Sequence, residues 1–135
     1  MNDTRKITRV RDVMKSHFDI VDGLDTVETA LKRMQYTETK CLIVDKRHED
    51  DEYGILLISD IARNVLAKDL PPQRVNVYEV MAKPAISVDP QMDIRFCARL
   101  FDRCDLSRAP VVENGKVIGI ISLTDLVLKG MVATD

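Results

Sequence analysis

The chain has no surplus of basic charge, no apolar run long enough for a bilayer and no grouping of cysteines. Its 20 Lys and Arg stand against 22 Asp and Glu, a net charge of −2, with a pI near 5.7. That balance disfavours a dedicated nucleic-acid binder, which presents a basic face. The apolar runs fall far short of the roughly 20 residues a membrane helix needs. The opening Met1-Asn2-Asp3-Thr4-Arg5-Lys6 has no apolar core of signal-peptide type, so a cytoplasmic location and no membrane association are expected. Cys41, Cys97 and Cys104 are odd in number and lie outside any CxxC or Cys/His cluster. This disfavours a disulfide framework and a zinc site and leaves them as small hydrophobes, with Cys97 and Cys104, seven apart, expected on one helix face. There is no P-loop, no GxGxxG, and no Ser/His/Asp or Cys/His constellation, so no catalytic residue is assigned and the chain is not expected to be an enzyme. His17 and His48 are isolated, and Asp50, Asp51 and Glu52 lack the fixed spacing of a cation loop, so no metal site is assigned.

What the chain does contain is a pattern written twice. Val10-Arg11-Asp12-Val13-Met14 returns as Val77-Tyr78-Glu79-Val80-Met81, each a short helical turn. An extended stretch follows, Phe18–Val21 in the first copy and Pro84–Pro90 in the second, with Val21-Asp22 over Val88-Asp89. Next comes an amphipathic helix with Val27, Ala30, Leu31 and Met34 in one copy and Ile94, Cys97, Ala98 and Phe101 in the other; Asp25 or Thr26 suits the first helix cap. Cys41-Leu42-Ile43-Val44 and Tyr53–Ile58 read as a hairpin around the charged tip 46–52. Their counterparts are Ala109–Glu113, overlaid on Cys41–Asp45, and Val117–Ile121, joined through Asn114-Gly115, a pair suited to a tight turn of positive φ. A last helix begins at Ser59-Asp60 or Thr124-Asp125, and Leu70-Pro71-Pro72 separates the copies. The expected fold is α/β (α+β), two pseudo-symmetric β-α-β-β-α repeats over 8–70 and 74–133. A unit of that size buries both faces of a small sheet only by packing against its twin, sheet to sheet, which leaves a cleft on each side.

Both copies end a strand that opens Gly-Ile-hydrophobic and then reach hydroxyl residues and an aspartate: Gly54–Ile61 and Gly119–Leu126. A carboxylate and hydroxyls at a strand-to-helix junction suit the hydroxyls of a sugar, and the helix start offers N–H groups to a phosphate. The same Asp60, Asp125, Ser59 and Thr124 equally suit helix caps, and Arg108 and Lys40 equally suit solvated surface positions.

Taken in order and twice over, the Val-x-x-Val-Met motif, Ile86-Ser87-Val88-Asp89-Pro90, Arg108-Ala109-Pro110-Val111-Val112-Glu113 and Gly119–Leu126 resemble a tandem CBS domain pair, the module named after cystathionine β-synthase. The resemblance runs from about Val10 to Met131 and suggests a stand-alone pair. It implies a regulatory module that requires no cofactor and senses AMP, ADP, ATP, S-adenosylmethionine or a dinucleotide in the clefts, commonly as a disc-shaped homodimer that signals to a protein effector. By that resemblance Asp125 holds the ribose hydroxyls, Ser122 and Thr124 assist, and Arg108, beside Ala109 and Pro110, meets phosphate. By the same resemblance the Ile86-Ser87-Val88 strand contacts the adenine, largely through backbone groups.

The first copy departs from the pattern. Ile20 with Val21 replaces Ser87 with Val88, Cys41-Leu42 replaces Ala109-Pro110, and Leu57 replaces Ser122; Lys40 keeps a cation at the Arg108 position, and Ser59 and Asp60 remain. The second-copy site is therefore expected to be the better one. The alternative is a purely structural or interaction protein whose clefts stay empty or are filled by Phe18 and Tyr53. Nucleic acid is disfavoured as a partner.

Overall fold

The computed structural model describes residues 6–132; the Met1–Arg5 part of the opening segment and residue 133 of the second repeat lie outside them. The chain divides into two compact units. One is His17–Ile86; the other joins the 6–16 stretch to 87–132. This division differs from that of the sequence repeats. The first Val-x-x-Val-Met segment belongs with the second copy, and the second belongs with the first.

In the 17–86 unit, β1 (Ile20–Val21) lies parallel to β2 (Cys41–Val44), which pairs antiparallel with β3 (Gly54–Leu57). The helix α2 (Val27–Arg33) begins at Thr26, whose hydroxyl accepts from the Thr29 N–H. The helix α3 (Ile58–Ile61) runs on through a wider turn over Ala62–Leu66. The Val77–Glu79 turn closes the unit: Val77 N–H donates to the Asp25 carbonyl, and Ala82 exchanges both backbone bonds with Ile55. The core is Val21, Val27, Ala30, Leu42, Val44, Leu56, Ile61, Val65, Val75 and Val77. All four residues of β2 are buried, which accounts for an apolar run without alternation.

The other unit repeats this plan with α1 (Val10–Val13), α4 (Ile94–Cys104), β4 (Arg108–Glu113), β5 (Lys116–Ser122) and α5 (Leu123–Leu128). Asn114 and Gly115 at the β4–β5 turn have φ of 53° and 78°, as their sequence demands. The strand expected over Pro84–Pro90 is reduced to a single parallel bridge, Val88 to Val111. Lys15 exchanges both backbone bonds with Ile120, as Ala82 does with Ile55. Both crossings pass close over a glycine: a Cβ on Gly119 would meet the Lys15 carbonyl at 2.7 Å, and one on Gly54 would meet the Ala82 carbonyl at 3.2 Å. The core here is Val10, Val13, Val88, Cys97, Phe101, Ala109, Val111, Ile121 and Leu126. Cys97 is buried and Cys104 exposed, so the two do not share an environment despite their spacing. Burial pushes the Cys97 thiol up to about 11, in keeping with an inert core residue.

Candidate functional site

Ser122 ends β5 and caps α5, its hydroxyl accepting the Asp125 N–H at 3.2 Å. The cap is therefore Ser122, and α5 opens at Leu123, one residue before the Thr124 start expected from sequence. The Leu123 N–H is taken by the Ser107 carbonyl, so two first-turn amides are engaged within the protein. Asp125 is only 4% exposed. One of its carboxylate oxygens lies 2.5 Å from the Lys15 ammonium, and the other lies 3.6 Å from that of Lys129. Arg108, half-buried, sits directly opposite Ser122 in the β4–β5 pairing. This unit thus gathers Lys15, Arg108, Ser122, Asp125 and Lys129 at one end of its hairpin. Thr124 is exposed on the first turn of α5. Ala109 and Pro110 are buried in β4, and the Pro110 carbonyl accepts the Val88 N–H at 3.0 Å. Ser87 and Ile86 are exposed; Ile86 ends the 17–86 unit, and Ser87 opens the second part of the other.

The corresponding end of the 17–86 unit is different. The cap residue of α3 is Leu57, which offers no side-chain acceptor, so neither Ser59 nor Asp60 caps the helix. Asp60 pairs with Arg63 on its own helix at 3.1 Å and keeps 23% of its side chain exposed. The strand register also moves one sequence-based match. Arg108 faces Ser122 and Cys41 faces Leu57; Leu123 N–H donates to Ser107, and Ile58 N–H donates to Lys40. Cys41 therefore stands where Arg108 stands, and Lys40, exposed with φ of 57°, stands where Ser107 does. The cation expected at the Arg108 position of the first copy is absent from it. Leu42 faces Leu56 inside the core and takes the place of Ala109.

Ile20 and Val21 line two concave regions of the 17–86 unit. A cavity of about 360 Å³ is bounded by Asp19, Asp22, Asp25 and Arg33, among others. A groove of about 750 Å³ is bounded by Asp45, Lys46, Arg47, Tyr78 and Lys83 at the opposite end of β2 from Asp60. Beside this groove Asp51 binds Arg47 at 3.0 Å and Lys83 at 2.7 Å. These bonds hold its carboxyl well below the usual carboxylate range. Among the described residues no group of His, Cys, Asp or Glu is arranged to hold a metal ion. Tyr53 lies under the Lys46 ammonium at 4.9 Å, and Phe18 is half-buried.

Sequence reasoning missed Lys15 and Lys129. The signal for Lys15 was the residue after each Val-x-x-Val-Met motif: Lys15 in one copy, Ala82 in the other.

The CBS domain description matches residues 10–67 and 77–130. The chain belongs to the CBS domain family. The hexameric CBS-CP12 protein of bloom-forming cyanobacteria is 36% identical, with a TM-score of 0.87, over 91% of this chain and 71% of that one. An uncharacterized protein of Methanopyrus kandleri is 29% identical over 80% of this chain and 56% of its own length. The CBS domain pair of protein MJ0100, solved with 5′-methylthioadenosine and S-adenosyl-L-methionine, shares the fold at 23% identity and a TM-score of 0.77, over 93% of this chain and 98% of that one. Against three curated relatives the chain spans 56%, 59% and 63% of their lengths. Both repeats of the CBS pair carry the α+β plan expected from sequence. Among the described residues, no helix is long and apolar enough to cross a membrane.

Proposed function

We propose that the chain is a regulatory CBS pair that binds an adenosyl ligand at the Asp125 end of the unit containing residues 87–132. The ligand is AMP, ADP, ATP or S-adenosylmethionine, and a protein effector reads the bound state. The observation that carries this reading is the constellation around Asp125: a nearly buried carboxylate held by Lys15 and Lys129, with Arg108 opposite the helix cap. A carboxylate has about four acceptor directions, so with one taken by the Lys15 hydrogen bond it still accepts from vicinal ribose hydroxyls. The cations around it suit phosphate oxygens. The CBS pair of MJ0100 holds two adenosyl ligands, which have the ribose but carry no phosphate. Binding changes the effector's view of the protein only through a difference in affinity between two states.

In this reading Asp125, Ser122, Thr124 and Arg108 hold ribose and phosphate, and Ser87 and Val88 with Ala109 and Pro110 border the base. The weaker end uses Ile20, Val21, Ser59 and Asp60; Leu42 is in the core, and the position matching Arg108 is Cys41, so Lys40 supplies no phosphate contact from it. Homodimerisation belongs to the same proposal. A second reading is favoured by the Lys15–Asp125 pair itself: a carboxylate satisfied internally suits a purely structural protein that works through contacts alone.

Thermal melts of the wild type and of Asp125→Ala with each of the four ligands separate the two. A ligand at about a hundred times its Kd adds roughly 2.7 kcal/mol. A shift with one ligand, lost in Asp125→Ala and kept in Asp60→Ala, supports sensing at Asp125. No shift with any of the four favours the structural reading.

A further inference from the structure

We propose that Lys15 sets the charge of the ligand taken at the Asp125 end, making it selective for adenosyl ligands that carry phosphate over uncharged ones; this rests on the reading above. A buried carboxylate alone is a poor neighbour for phosphate, because like charges in a partly desolvated site repel. Lys15 removes that obstacle. Its ammonium lies 2.5 Å from the Asp125 carboxylate and cancels the charge, while its side chain stays 24% exposed. An ammonium has three donors, and the Asp125 bond uses one. Lys129, 3.6 Å from the other carboxylate oxygen, brings the cluster of two lysines and one aspartate to a net positive charge before Arg108 is added.

The position of Lys15 is fixed by backbone. The bonds it exchanges with Ile120, 2.9 and 2.8 Å, tie it across β5 two residues before Ser122. The segment lies so close over Gly119 that a Cβ there would meet the Lys15 carbonyl at 2.7 Å. The other unit supplies an internal control. Ala82 makes the same two bonds to Ile55, so it stands where Lys15 stands and carries no charge. Cys41 replaces Arg108, and Asn64, one turn after Asp60, replaces Lys129. With Arg63 as its partner, Asp60 belongs to a neutral pair. One backbone plan thus carries a net positive cluster in one copy and a neutral one in the other. The change after the repeated methionine is the one of these exchanges that places an ammonium in hydrogen-bond contact with the carboxylate.

The test is calorimetric binding of ADP and of adenosine to the full chain at low and at physiological salt. The proteins are wild type, Lys15→Ala, which installs the residue of the other copy, Lys15→Met, which keeps most of the aliphatic stem, and Lys15→Arg. The wild type is expected to bind ADP at least tenfold more tightly than adenosine, with the gap narrowing as salt rises. Lys15→Ala and Lys15→Met lose tenfold or more for ADP and less than threefold for adenosine, and Lys15→Arg restores most of the ADP affinity. Equal losses for the two ligands, or a wild type that does not distinguish them, overturn this inference and leave the binding reading intact. A Lys15→Met chain that no longer melts cooperatively assigns Lys15 to the fold and overturns it too. A wild type that binds neither ligand removes the binding reading, and this inference with it.

Discussion

Asp60 and Asp125 occupy the same place in the two copies, one turn into a helix that follows the last strand of a hairpin, yet the copies have put that carboxylate to different use. Asp125 is withdrawn from solvent and held by a lysine 110 residues away in the chain. Asp60 stays partly exposed and pairs with Arg63 three residues on. The backbone leading into them follows the same plan, down to the crossing segment that bonds Ile55 in one unit and Ile120 in the other. Duplication therefore preserved a scaffold and let the charges diverge. The difference is concentrated in four side-chain exchanges: Lys15 for Ala82, Arg108 for Cys41, Ser122 for Leu57 and Lys129 for Asn64.

Alanine at each aspartate breaks the comparison most directly. Asp125→Ala strands the Lys15 ammonium at a partly buried site; it is expected to cost about 2–3 kcal/mol, less than the ~3–5 of a fully buried pair because Lys15 retains some water. Asp60→Ala removes an exposed i,i+3 pair and should cost less than about 1 kcal/mol. Urea unfolding of both variants measures the gap, and equal values would show that the two carboxylates are energetically alike. Gly119→Ala comes next. Its Cβ would press on the Lys15 carbonyl and the Met14 sulfur, both at 2.7 Å, so the crossing segment must shift, at a cost of about 1–3 kcal/mol. Gly54→Ala meets the far end of the flexible Met81 side chain at 2.8 Å and the Ala82 carbonyl only at 3.2 Å, and should cost less. A Gly119→Ala chain as stable as Gly54→Ala would mean that Lys15 is less tightly positioned than its bonds suggest.

The smallest effect lies at the helix caps. Asp93 caps α4 and binds Arg95 at 2.8 Å; that bond, with the Arg95 N–H, lowers its carboxyl to about 2. Its counterpart Thr26 caps α2 and does not titrate. A carboxyl lowered on folding stabilises above its unfolded value of 3.8, and this contribution fades as pH falls toward about 2. Hydrogen exchange at the first turn of α4 should therefore lose protection between about pH 4 and pH 2. The loss should vanish in Asp93→Asn, and the first turn of α2 should show no such step.

The repeat was legible because helix faces and the Asn114-Gly115 turn each have a period or a dihedral demand that shows in the residue types. The register of the first hairpin was not. Cys41-Leu42-Ile43-Val44 is buried throughout, so sliding it by one residue still lays apolar on apolar, and no alternation fixes the match. That slip is what set Lys40 on Arg108. Capping was half legible: a hydroxyl near the helix start was expected in both copies, but Leu57 leaves α3 without one and Ser122 acts two residues before Thr124. Ile86–Val88 carried strand-like residues, yet only Val88 finds a partner in β4. The lysine on Asp125 shows in the sequence only as a difference between the copies after the repeated methionine, since an ion pair across 110 residues leaves no spacing of its own.

The exchanged crossing segments also order events on the ribosome. The 17–86 unit has all its core residues once Ile86 has been made. The 10–16 stretch, translated earlier, finds Ile120 only after more than a hundred further residues. At roughly 5–20 residues per second, Val10, Val13 and Met14 stay uncovered for on the order of ten seconds in a nascent chain whose neighbouring unit is already formed. Translation that pauses before β5 would prolong this exposure, and a chaperone could cover the early segment during that interval.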